Sequence, residues 1–122
     1  MNSSADVQEW MASGNLRPSS QQVEDVADVF ALLGDPGRVR LLVALLPGEL
    51  CVADLADRSG HSASGVSHAL TLLRAHRVVA SRREGRKVFY RLEDPHVRHL
   101  LELTFTHTAE GALEHPEREA RR

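Results

Sequence analysis

A chain of 122 residues with 42% apolar side chains has room for one small domain. Its opening, MNSSADVQEWMAS, has no basic segment followed by an apolar run, and no stretch is apolar for long enough to span a bilayer; the prediction is a cytoplasmic protein with no membrane partner. The single cysteine, Cys51, excludes an intrachain disulfide, and the net charge of -2 hides an asymmetry: residues 1–57 hold nine Asp or Glu against three Arg, whereas residues 74–91 hold seven Lys or Arg against Glu84 alone. Basic charge concentrated in this way suits a phosphate-binding surface, with a merely solvated face as the alternative.

Val7, Trp10 and Met11 share one face of a short helix ending near Gly14, and NLRPSS leads onward. Ser19 with Gln22 has the form of a capping box opening a second helix, on which Val23, Val26, Ala27, Phe30 and Leu33 recur at helical spacing up to Gly34. Asp35-Pro36 reads as an N-cap followed by proline at the first helical position, where its missing N–H costs nothing. The run Val39 to Leu46 then predicts the most buried helix, stopped by Pro47-Gly48. CVADLADRSG predicts a short helix with Val52, Leu55 and Ala56 inward and Gly60 as terminator; HSASGVSHALTLLRAH follows after a tight turn, so the pair is a helix-turn-helix candidate.

From Arg77 the apolar period becomes two. RVVASRREGRKVFYRLED predicts a basic hairpin turning at Glu84-Gly85, with Val88, Tyr90 and Leu92 on one side and Lys87, Phe89 and Arg91 on the other. Asp94-Pro95 opens a terminal helix whose apolar stripe is Val97, Leu100, Leu101, Phe105 and Thr108. The expected organisation is an N-terminal arm with a short helix over 1–19, a domain over 20–112 and a flexible tail over 113–122. Its fold class is mainly α with a β-hairpin wing, the element order of a winged helix-turn-helix.

On the second helix of the motif Val66, Ala69, Leu70 and Leu73 face the core, leaving Ser64, Ser67, His68 and Thr71 on the opposite stripe. Small hydroxyl side chains and one imidazole allow close approach to base edges in a major groove, with Ser62 as N-cap turning the helix N-terminus towards phosphate. Arg74, Arg82, Arg83, Arg86 and Lys87, with Arg91 at the margin, supply attraction independent of base sequence. The expected partner is double-stranded operator DNA.

The segment ELCVADLADRSGHSASGVSHALTLLRAHRVVASRREGRKVFYRLED resembles the ArsR/SmtB family of metal-responsive repressors through its ELCV-x-DLA segment, VSHxL recognition helix and GR-x-x-x-Y wing. LLGDPGRVRLLVALL is similar to the helix that precedes these motifs, and the likeness covers about residues 20 to 112. The resemblance implies a homodimeric winged helix-turn-helix that represses an operator and is released by an inducer.

The terminal helix carries a metal-ligand pattern of its own. His96 and His107 are 11 residues apart, about 20° from three full turns, so they share a face, but the rise between them is roughly 16 Å. Ligand atoms must lie about 2.0–2.2 Å from a zinc ion, so a joint site needs a second, antiparallel copy of the helix. In a two-fold dimer Asp94 and His96 of one copy would face His107 and Glu110 of the other, giving two equivalent sites. The pattern D-x-H-x10-H-x2-E also resembles the interprotomer site of zinc-sensing family members.

Two imidazoles and two carboxylates suit Zn(II), with Co(II) as a substitute; Ni(II) competes if His99, His115 or the N-terminal arm adds ligands. Cys51 lacks the second cysteine that soft-metal sensors of the family carry, so it reads as a small packed side chain. His61 and His76 read as surface residues. The expected function is repression by the metal-free dimer and release on zinc binding; derepression of metal efflux or storage genes is what the family resemblance implies. The alternatives are a nickel or cobalt sensor of the same fold and a winged-helix repressor with a redox or protein inducer. Four protein ligands leave no open position for water, which argues against a metallohydrolase.

Overall fold

The computed structural model describes residues 4–14 and 17–111, apart from the side chains of residues 4–6 and 10. The expected role of Trp10 and the expected tail over 113–122, with His115, lie outside the described residues. The chain divides at Asp35/Pro36 into two compact units.

The first unit holds α1 (Ser4–Ser13) and α2 (Ser20–Leu33). The predicted capping box is formed: Gln22 N–H donates to Ser19 Oγ at 3.1 Å, and Ser19 N–H donates to Gln22 Oε1 at 2.7 Å. Two of the helix's orphan donors are satisfied in this way, which fixes where α2 begins. Of the stripe predicted for α2, Val23, Val26 and Phe30 are more than half exposed and Leu33 is half-buried, while Leu32 beside it is buried.

The second unit runs α3 (Pro36–Leu45), β1 (Leu50–Cys51), α4 (Val52–Ser59), α5 (Ala63–Ala75), β2 (Val79–Glu84), β3 (Lys87–Leu92) and α6 (Pro95–Ala109). Leu41, Leu42 and Leu45 of α3 are almost wholly excluded from solvent, as are Leu55 of α4 and Val66, Leu70 and Leu73 of α5. Each fully buried Leu contributes roughly 1.5–3 kcal/mol of transfer free energy, and this leucine-rich centre sets the mutual placement of the three helices. Val78, Val79, Leu92, Val97 and Leu101 extend the core under the sheet and the start of α6.

Gly60, at φ 75°, ends α4 in the left-handed conformation, the role predicted for it. The end of α5 is less usual. Val78 N–H donates to Leu73 O and Arg77 N–H to Arg74 O, a Schellman motif whose left-handed residue is Arg77 at φ 58°, where glycine is the common choice.

The hairpin pairs Glu84 with Lys87, leaving Gly85-Arg86 as a two-residue turn with the positive φ at Gly85. The sequence reading has Cys51 within the helix that follows it; instead Leu50 and Cys51 form β1, antiparallel to β3 with Leu50 opposite Tyr90 and Cys51 opposite Phe89. Two residues carry no periodic signal, and β1 exists because β3 offers it a free edge. The resulting sheet has the order β1-β3-β2.

α6 also departs from expectation. Val97 and Leu101 are buried, but Phe105 and Thr108 of the predicted stripe are exposed, as is Leu103. The early turns of this helix pack on their own unit, whereas its last turns carry apolar side chains into the open.

Candidate nucleic-acid interface and metal centre

α5 has two chemically distinct faces. Val66, Leu70 and Leu73 are sealed in the core, while Ser62, Ser64, Ser67, His68, Thr71 and Arg74 are all exposed. Ser62 Oγ accepts from Gly65 N–H at 3.1 Å, which establishes it as the N-cap. A Cβ at Gly65 would meet that oxygen at 3.2 Å, so glycine lets the capped turn close tightly. Thr71 Oγ1 donates to Ser67 O at 2.9 Å, holding one hydroxyl against the helix. The remaining small polar groups form a narrow ridge able to enter a groove as far as its backbone permits.

The hairpin adds Arg83, Arg86 and Lys87, which are exposed and make no ion pair among the described residues. Arg82 is different. Its Nε donates to both Glu49 carboxylate oxygens at 2.9 Å, its Nη2 pairs with Glu49 Oε1, and its Nη1 reaches Glu84 Oε2 at 2.8 Å. Its guanidinium carbon stands 4.9 Å from the Phe89 ring centroid. Arg91 is paired with Glu93 at 3.2 Å. The sequence grouped Arg82 with the phosphate-binding cations because its local context is RRE; its partner Glu49 lies 33 positions away and carries no local signal.

Hydrogen bonding from Arg82, assisted by its charge, holds the Glu49 carboxyl below the ordinary glutamate value of about 4.3. A carboxyl with a lower pKa when folded stabilises the fold at pH values above its unfolded pKa, and that contribution disappears as the pH falls through the depressed folded value. The stability gap between the native protein and Glu49→Gln, measured by denaturant titration, is therefore expected to be full at pH 7 and to close on acidification below pH ~4. A gap that stays constant down to pH ~3 would mean that the ion pair contributes nothing.

At the start of α6 the structure brings Asp94 and His96 together. Asp94 is the N-cap, its Oδ1 accepting from His96 N–H at 2.8 Å and lying 3.2 Å from His96 Nδ1. The His96 side chain is 92% exposed, so the imidazole needs no rearrangement of the core to meet a ligand. His107 and Glu110, at the other end of α6, are exposed, and Glu110 forms the C-cap of the helix. Among the described residues no three His, Cys, Asp or Glu side chains of one chain converge on a common point. His99 and His76 are exposed, whereas His61 is half buried with an unbonded Nε2, in contrast to the surface position expected of it.

Two links connect the Asp94 end of α6 to the rest of the unit. Arg98 Nη1 donates to Leu46 O at 2.8 Å, tying the helix to the end of α3. The carbonyl of Val78 accepts from Glu93 N–H at 2.9 Å and Asp94 N–H at 3.4 Å, while Val78 N–H bonds Leu73 O of α5. One residue thus bridges α5 and the residue that caps α6. Neither Arg98 nor Val78 stood out in the sequence, because the acceptor of Arg98, Leu46 O, and the groups that donate to Val78 O, Glu93 and Asp94 N–H, lie far along the chain from them. Cys51 is buried and its thiol donates to Asp54 Oδ2 at 3.3 Å, as suits a packed side chain.

The family described as bacterial regulatory protein, arsR family, matches residues 35–81. The chain is 46% identical over 93 residues to the transcriptional repressor SmtB homolog of Synechocystis sp., covering 76% of this chain and 70% of that protein. Among solved structures it is similar to the antimony-specific transcriptional repressor AntR, with a TM-score of 0.73 and 34% identity over 84% of this chain and 95% of that one. It is also similar to the homodimeric winged helix-turn-helix DNA-binding domain Mb0332 from Mycobacterium bovis, with a TM-score of 0.69 and 28% identity over 80% of this chain and 94% of that one. These relatives are DNA-binding regulators rather than enzymes.

Proposed function

Because the chain belongs to the arsR family of bacterial regulatory proteins, we propose that it is a zinc-responsive repressor. As a homodimer without metal it binds operator DNA; with Zn(II) shared between Asp94 and His96 of one protomer and the partner's His107 and Glu110 it lets go. Its winged helix-turn-helix fold and its standing as a transcriptional regulator come from the family; the metal, the dimer and the direction of the response are the proposal.

The observation that carries this reading is the Asp94–His96 pair, two potential ligands placed side by side at one end of α6, with His107 and Glu110 at the other. Oxygen and imidazole donors suit zinc, and the absence of a second cysteine from the sequence disfavours the soft metalloids. A nickel or cobalt response from the same residues is the second reading, because the exposed His99 lies one turn from His96. The uncovered apolar side chains of α2, together with Leu103 and Phe105 of α6, support a dimer, since scattered single apolar residues need no partner but runs of them do.

In the dimer two copies of α5 present Ser64, Ser67, His68 and Thr71 to successive major grooves. Arg74 and the wing residues Arg83, Arg86 and Lys87 hold phosphates. Bound zinc supplies a four-ligand cross-link between protomers. The chain's own contribution to the response is the chain of hydrogen bonds from Asp94 through Val78 to Leu73, by which a change at the start of α6 reaches the recognition helix.

Operator affinity titrated in turn with zinc, cobalt, nickel and cadmium tests the proposal. Zinc is expected to weaken binding by 5–150-fold, roughly 1–3 kcal/mol of coupling, and cadmium to do little. Affinity that ignores all four ions would end the metal reading and leave a repressor with another inducer.

A further inference from the structure

Resting on the assignment of the wing to DNA, we propose that Glu49 is a positioning residue that withholds Arg82 from phosphate, so the wing meets DNA through Arg83, Arg86 and Lys87 without it. The sheet register places the two residues on one face. Cys51 and Arg82 both stand opposite Phe89, one on each side, so Glu49, two residues before Cys51, reaches the same face of the sheet as Arg82. Three of the guanidinium's N–H groups go to Glu49 and Glu84, and its carbon sits over Phe89.

Charge decides the consequence. One guanidinium between two carboxylates is a group of net charge -1, so a phosphate approaching Arg82 meets more repulsion than attraction. Of the two carboxylates Glu49 is the fixed one, with 33% of its side chain exposed against 68% for Glu84. Arg82 therefore braces the hairpin against the segment between α3 and β1, and the pair lowers the wing's general hold on DNA by about one phosphate contact.

The test measures binding to a mixed-sequence duplex several helical turns long, by fluorescence anisotropy, across a range of salt. This probe reads phosphate contacts without requiring the operator, since each contact contributes about 0.9 to the slope of log affinity against log salt. Arg83→Ala is expected to make the slope shallower by about 0.9, whereas Arg82→Ala leaves it unchanged. Glu49→Gln, which preserves shape, is expected to steepen the slope by about 0.9, an extra loss of roughly 3.5-fold between 50 and 200 mM salt. Adding Arg82→Ala to Glu49→Gln should restore the native slope.

A shallower slope for Arg82→Ala in the native background, or no steepening for Glu49→Gln, would overturn the proposal. If Arg83→Ala and Arg86→Ala also leave the slope unchanged, the DNA assignment of the wing fails, and this inference with it, by a distinguishable pattern. Circular dichroism monitors folding throughout; if Arg82→Ala unfolds, Arg82→Gln takes its place.

Discussion

Replacing His96 or His107 by alanine is expected to leave duplex binding intact and to abolish its response to zinc, a loss of the whole 5–150-fold coupling. Both imidazoles are exposed, and His96 Nδ1 lies 3.2 Å from Asp94 Oδ1. The geometry allows a sharper form of the experiment. Each proposed half-site lies at one end of α6 and the ends are separated by roughly 16 Å, so a His96→Ala chain retains the half that a His107→Ala chain lacks. A heterodimer of the two variants contains one intact site and one doubly broken site. Equimolar mixing makes about half of the dimers heterodimers, so it should restore about a quarter of the zinc bound by the native protein, although each variant alone binds at neither site. Failure of the mixture to bind zinc, with each homodimer silent, would mean that the four residues do not meet across a two-fold axis.

Leu70→Ala is the substitution with the largest expected effect on stability, about 2–5 kcal/mol, because Leu70 is almost fully buried at the centre of α5 and truncation leaves a cavity. A small domain has only about 5–15 kcal/mol in total, so this loss removes a large share of it and, with it, the placement of Ser67 and Thr71 on the outer face. Leu72, two residues along the same helix, is 39% exposed; its alanine variant should stay within roughly 0.5–1 kcal/mol of the native protein. Denaturant melts of the two proteins measure the contrast directly. Equal effects would show that α5 does not bury the face assigned to it.

Local chemistry made much of this readable in the sequence. Ser19 with Gln22, Ser62 and Asp94 are caps whose partners lie two or three residues away, and each forms the predicted bond. The alternation of Val88, Tyr90 and Leu92 against Lys87, Phe89 and Arg91 placed the hairpin, and Gly85 its turn. The separation of Asp94 and His96 from His107 and Glu110 stated that one chain cannot close a four-ligand zinc site, and the structure brings only the first pair together.

What escaped the sequence was whatever depends on partners far along the chain. Glu49 gives no sign of meeting Arg82, β1 is too short for any period, and the bridge from Leu73 through Val78 to Asp94 uses backbone atoms that every residue possesses. Periodicity likewise marked Phe30 and Phe105 as apolar-face residues, yet could not say whether their own chain covers them. The order of the helices and the hairpin, the caps at Ser19, Ser62 and Asp94, and the spacing of the four candidate ligands along α6 were legible in the residues alone, because they rest on local periodicity, on side chains within a turn of each other or on fixed helix geometry. That Arg82 is committed to two carboxylates, and that Phe30 and Phe105 are exposed, needed the fold, because charge pairing and burial depend on which distant surfaces it brings together.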